Sequence, residues 1–139
     1  DGVIAGGCLS IFTEALGTPY AALTAGADAP RVLFLEDIGT KPYQWDRMLL
    51  HLRYAGMLEY VSGIVFGDML QCVGASEQAL LEGAILHSLK DFVGPIAIGL
   101  RSGHVDTPNV TVPLGVRVRL DLSEGQSARL EFLEAAVKR

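Results

Sequence analysis

Two places in this 139-residue sequence carry residue types that do chemistry. Glu36-Asp37 follow directly on the apolar run Arg31-Val32-Leu33-Phe34-Leu35, and His104 falls in the loop-like stretch Ser102–Asn109, after a second run, Ile96-Ala97-Ile98-Gly99-Leu100. In α/β sheets reactive groups gather beyond the carboxyl ends of strands. A carboxylate and an imidazole on neighbouring strand ends could therefore meet. The carboxylate would fix the imidazole tautomer and stabilise its protonated form, the acid–base half of a triad. The plainer reading makes such acids solvated turn residues, or caps for the next helix. A triad also needs a nucleophile, and no G-x-S-x-G elbow occurs. Ser10, Ser62, Ser76, Ser102, Ser123 and Ser127 fall in helical, turn or hairpin contexts. Either the pair does other work, or its nucleophile lies on a part outside this sequence.

The remaining candidates read as structural. His51 and His87 belong on the surfaces of helices, and neither has a partner at metal-ligand spacing such as H-E-x-x-H. Gly6-Gly7, ahead of a helix, would suit an anion at the helix N-terminus. The pair lacks the G-x-G-x-x-G and Walker lysine patterns, which favours a tight turn. No cofactor motif is present. Cys8 and Cys72 make no disulfide framework and no zinc spacing, and read as small buried or half-buried residues. Asn109-Val110-Thr111 is formally a glycosylation sequon, treated as chance without a secretion signal. Arg47 and Tyr43 could shape a substrate pocket, but read more simply as a surface charge and a packing ring.

The elements that must position these groups follow from hydropathy and punctuation. Half the residues are hydrophobic and 19% are charged, which supports a core and excludes disorder as the main state. A net charge of −5 argues against nucleic acid as a partner. The uncharged run Val61–Gly67 is far short of the roughly 20 residues of a spanning helix. Strands are expected at Val3–Ala5, Arg31–Leu35, Gly63–Gly67 and Ile96–Leu100. Helices are expected over Cys8–Leu16, from Pro42 through Ala55, and from Ser76 to Phe92. Ala21–Pro30 reads as a loop. Gly115–Leu133 alternates apolar and polar residues as a hairpin turning near Glu124-Gly125. Alternating buried strands and helices imply one α/β unit with a mostly parallel sheet, crossover helices and a C-terminal antiparallel hairpin.

In order along the chain, Gly6-Gly7-Cys8-Leu9-Ser10, Gly17-Thr18-Pro19-Tyr20, Leu33-Phe34-Leu35-Glu36-Asp37, Asp46-Arg47-Met48-Leu49, and Gly103-His104 through Pro108-Asn109 with Pro113-Leu114-Gly115 resemble the C-terminal half of the L,D-carboxypeptidases. These are cytoplasmic serine peptidases of murein recycling, related to the microcin immunity peptidases. The resemblance spans essentially the whole chain. It implies a swivelling-type α/β domain and a Ser-Glu-His triad split between two domains. Glu36 and His104 match the family's glutamate and histidine. The serine and the oxyanion-hole amides would lie on an N-terminal domain absent from this chain. That implication fits the missing nucleophile and the missing initiator methionine, and it makes this chain alone inactive. The implied substrate is the murein tetrapeptide, cleaved between meso-diaminopimelate and D-alanine, or else a peptidyl-nucleotide antibiotic. No metal or other cofactor is implied, no membrane contact, and pairing as a homodimer is. A non-catalytic peptide-binding or docking module is the reading from another class. Cys8 stands where the family usually carries asparagine, and a thiol lacks the amide's paired donor and acceptor.

Overall fold

The computed structural model describes residues 1–21, 29–105, 108–122 and 127–137. Along the chain run β1 (Gly2–Cys8), α1 (Leu9–Glu14), β2 (Arg31–Glu36), α2 (Pro42–Tyr54), β3 (Val61–Phe66), α3 (Gln78–Ser88), β4 (Ile96–Ile98), β5 (Arg117–Leu122) and β6 (Ala128–Phe132). The strands form one sheet in the order β4-β3-β2-β1-β5-β6. Strands β1 to β4 are parallel, while β5 runs antiparallel to β1 and β6 antiparallel to β5. The expected α/β architecture, mostly parallel with antiparallel strands at the C-terminal end, is what forms.

The four parallel strands are laid down side by side in one direction, so right-handed crossovers send all three helices to one face. On that face Leu33, Leu35, Ile64 and Phe66 of the sheet pack against Leu9, Trp45, Leu49, Leu52, Leu81 and Ile85. Pro42 suits the first turn of α2, where its missing N–H is not needed. Trp45, Leu49 and Leu52 then recur at helical spacing and are fully buried. Trp45 meets Phe66 edge to face, ring centroids 5.8 Å apart. The Ser88 hydroxyl donates to Asp46 Oδ1 at 2.7 Å and ties α3 to α2.

Among the described residues, the opposite face has no helix. Alternation along the strands sends Ile4, Val32, Phe34 and Val65 there, where they pack with Val116, Val118 and Leu120. The chain leaving β4 must cross this face to reach the far side of β1, and it contributes Leu100 and Val112 on the way. It then joins the ladder: Ile4 N–H donates to Val116 O at 2.9 Å, and Gly115 N–H to Ile4 O at 2.8 Å.

Several boundaries differ from the sequence reading. The first strand runs on through Gly6-Gly7 to Cys8, so those glycines are not a turn. Short 3-10 turns at Met57–Tyr60 and Ala75–Glu77 flank β3 and α3, and α3 stops at Ser88 rather than Phe92. The expected hairpin turn near Glu124-Gly125, and residues 22–28 of the expected Ala21–Pro30 loop, lie outside the described residues. Among the described residues, no helix is long and apolar enough to cross a membrane.

Both glycines have positive φ, +132° at Gly6 and +136° at Gly7. A Cβ at Gly6 would stand 1.9 Å from Phe34 O, whereas one at Gly7 would meet nothing within 4 Å. Gly7→Ala should therefore cost only backbone strain, about 1–3 kcal/mol. Gly6→Ala should cost roughly 3–5 kcal/mol, because β1 and β2 must also part. Urea unfolding of the two variants checks this, and equal costs would contradict it.

Candidate active site

Glu36 ends β2. Alternation places Leu35 among the helices and directs Glu36, like Phe34, to the face that the post-β4 chain crosses. Its side chain is only 6% exposed, and a buried carboxylate must find donors. One oxygen takes two. Glu36 Oε2 accepts from the His104 backbone N–H at 3.0 Å and lies 2.7 Å from His104 Nδ1. A carboxylate opposite Nδ1 selects the tautomer with its proton there. The other ring nitrogen, Nε2, then carries the lone pair and has no partner among the described residues. The imidazole is about half exposed.

The expectation of neighbouring strands needs correcting. Glu36 belongs to β2 and His104 follows β4, and β3 stands between them. Two glycines let the post-β4 loop span that gap. A Cβ at Gly67, just after β3, would sit 2.5 Å from Ser102 O and 2.9 Å from Glu36 Cβ. A Cβ at Gly103 would sit 2.4 Å from Glu36 Cγ, and Gly103 has φ +109°. The loop is pinned as it passes, with Asp68 N–H donating to Ser102 O at 3.0 Å. In the sequence Gly67 reads as a strand end and Gly103 as part of a loop, since nothing local marks a glycine whose missing side chain makes room for a distant one.

Asp37 does something else. Its Oδ2 accepts from Ser10 N–H at 2.9 Å and its Oδ1 from Ile38 N–H at 2.8 Å. The helix-cap reading therefore holds for Asp37, but the helix is α1 rather than the next one along. The N-terminus of α1 is thus occupied by the protein's own carboxylate, and the anion site considered at Gly6-Gly7 is not there.

The other candidates scatter. His51 and His87 are exposed on α2 and α3. Arg47 is exposed beside the groove between α1 and α2, and Tyr43, expected as a packing ring, is 68% exposed. Cys8 stands opposite Glu36 in the β1–β2 register, its Sγ 3.2 Å from Ser10 Oγ. Cys72 is fully buried, and burial pushes its thiol up. Among the described residues, no serine hydroxyl bonds to His104.

An α/β domain presenting a carboxylate-held imidazole at the carboxyl edge of its sheet is the class of protein that the geometry defines. Residues 1–120 match the family described as the LD-carboxypeptidase C-terminal domain, and the chain belongs to that family. It is 34% identical over 128 residues to a Bacillus subtilis (strain 168) protein named "Probable murein peptide carboxypeptidase", an alignment covering 89% of this chain and 38% of that protein. Among solved structures it resembles the muramoyltetrapeptide carboxypeptidase from Oxalobacter formigenes, with TM-score 0.76 and 30% identity over 94% of this chain and 45% of that one. The microcin C7 self immunity protein MccF shares the fold, with TM-score 0.79 at 22% identity, over 99% of this chain and 39% of that one. The chain thus spans less than half the length of each of these relatives.

Two outcomes test the site. Gly103→Ala should lower stability by roughly 2–5 kcal/mol in urea unfolding, because the methyl strains the backbone and displaces Glu36. A thiol reagent at mildly alkaline pH should label Cys8 in the folded chain and reach Cys72 only on unfolding, since burial both shields that sulfur and disfavours its thiolate. Mass mapping of the labelled peptide reads the result.

Proposed function

We propose that this chain is the C-terminal unit of a two-domain serine L,D-carboxypeptidase, and that Glu36 and His104 are two members of its Ser-Glu-His triad. The observation that carries this reading is the buried Glu36 carboxylate bonded to His104 Nδ1 at 2.7 Å, on a chain of this family. The serine and the oxyanion-hole donors would come from an N-terminal domain closing over the carboxyl edge of the sheet. Ile11 and Ile38, both exposed, flank the Ser10–Asp37 contact at that edge and suit such a cover.

The chemistry follows from the proton positions. With Nδ1–H given to Glu36, Nε2 accepts the serine proton as the hydroxyl attacks the carbonyl before the terminal D-alanine. The imidazolium then protonates the leaving amine, which departs as D-alanine and leaves an acyl-serine. Water attacks that ester with Nε2 again as base, and the serine is restored. Glu36 stays ionised throughout, orients the ring and stabilises its charged form. The proposed substrate is the murein tetrapeptide, cut after meso-diaminopimelate. A cytoplasmic setting and pairing as a homodimer belong to the same proposal and rest on the family resemblance.

In the full-length protein, His104→Ala should lower turnover of murein tetrapeptide by several powers of ten, as loss of a triad member does elsewhere. The 139-residue chain by itself should release no D-alanine. Near-normal turnover by full-length His104→Ala, or release by the chain alone, would refute the assignment. Hydrolysis of a peptidyl-nucleotide but not the tetrapeptide would move the substrate to the antibiotic class, and hydrolysis of neither would favour a binding module.

A further inference from the structure

The peptide group joining Gly103 to His104 is gripped at both ends. Its N–H donates to Glu36 Oε2 at 3.0 Å, and its C=O accepts from Asn109 Nδ2 and from Val105 N–H, each at 3.0 Å. The imidazole hanging from this group is bonded to the same Glu36 oxygen. Hydrogen bonds in series through one amide reinforce each other, since a bond to the carbonyl polarises the N–H. Gly103 needs such a grip. It holds φ +109° and has no side chain to pack, so the plane of the next peptide group is set by the donors on its carbonyl, the local Val105 N–H and the Asn109 side chain. Asn109 arrives from a fixed direction, because the next residue closes the loop through Val110 N–H to Arg101 O at 2.9 Å. Asn109 is itself exposed, so it contributes little to the core.

We infer that Asn109 is a positioning residue for His104: its amide holds the Gly103–His104 peptide plane so that Glu36 meets backbone and ring at once and Nε2 keeps one direction at the strand ends. The side-chain chemistry is specific. The contact requires a donor toward a carbonyl, which an amide supplies and a carboxylate of the same shape does not. Only the catalytic consequence of this positioning rests on the proposed peptidase reading.

Hydrogen exchange at the His104 backbone amide and at its ring Nδ1–H, followed by NMR on the chain, tests it without turnover. Asn109→Asp and Asn109→Ala should each speed exchange at both protons by roughly five- to tenfold, the worth of one neutral hydrogen bond. Amides of β2 and β3 and the melting temperature should stay at wild-type values. Unchanged exchange at His104 in both variants would overturn the inference, as would faster exchange spread evenly over β2 and β3. In the full-length protein kcat should fall with KM unmoved. Faster His104 exchange in a full-length protein that hydrolyses no L,D-peptide supports the positioning and sinks the peptidase reading, so the two fail separately.

Discussion

A carboxylate taken out of water at the end of a strand organises this molecule's functional edge. Glu36 is almost wholly buried, and an ionised group in that position is tolerated only with donors close by. Both of its hydrogen-bond partners among the described residues belong to one residue, His104, 68 positions away. The requirement works in both directions. The acid is satisfied by the loop, and the loop acquires a fixed course because it must satisfy the acid. A side-chain pair alone would leave the ring free to swing, whereas the added backbone bond anchors the residue that carries it.

The topology explains why that partner comes from so far along the chain. Four parallel strands added in one direction put every helix on one face and leave the other for the chain that follows. That chain has to turn at the carboxyl end of β4 and pass the ends of β3 and β2 before reaching β1. His104 is carried across on this passage. Glycines at 67 and 103 keep the path low enough to touch Glu36, and a methyl at either would hold it away. At the adjoining strand, Gly6 lets β1 lie close on Phe34 O and continue to Cys8, opposite Glu36. Asp37 meanwhile anchors α1. Adjacent acids thus serve different masters, one fastening a loop and the other a helix.

Much of this was legible before any coordinates. Continuous apolar runs such as Arg31–Leu35 mark strands covered on both faces, and the Trp45, Leu49, Leu52 spacing marks a helix with one buried stripe. Those signals are local, so they survive translation into structure with small shifts at the ends. Glu36 and His104 stood out because acid and imidazole after buried strands are few in this sequence. Gly103 and Asn109 entered only within the motifs of the family resemblance, and Gly67 only as a strand end. Their contributions are a missing methyl beside a remote carboxylate and an amide aimed at a remote carbonyl, and neither leaves a periodicity or spacing to read. Tyr43 was misread for a related reason, since an aromatic ring on an amphipathic helix looks the same whether its side of the helix is covered or bare.

The linear order of residues was enough to set the class of architecture, the two chemically capable side chains and the absence of a serine elbow among them. Hydropathy period and strand-end composition are properties of near neighbours, and a string of residues records them directly. Tertiary structure decided which strands are adjacent, that β3 separates the two ends that meet, that Asp37 caps α1, and which residues make room for the meeting. Each of those depends on the hand of the crossovers and on contacts between groups tens of positions apart, and such contacts exist only once the sheet has closed.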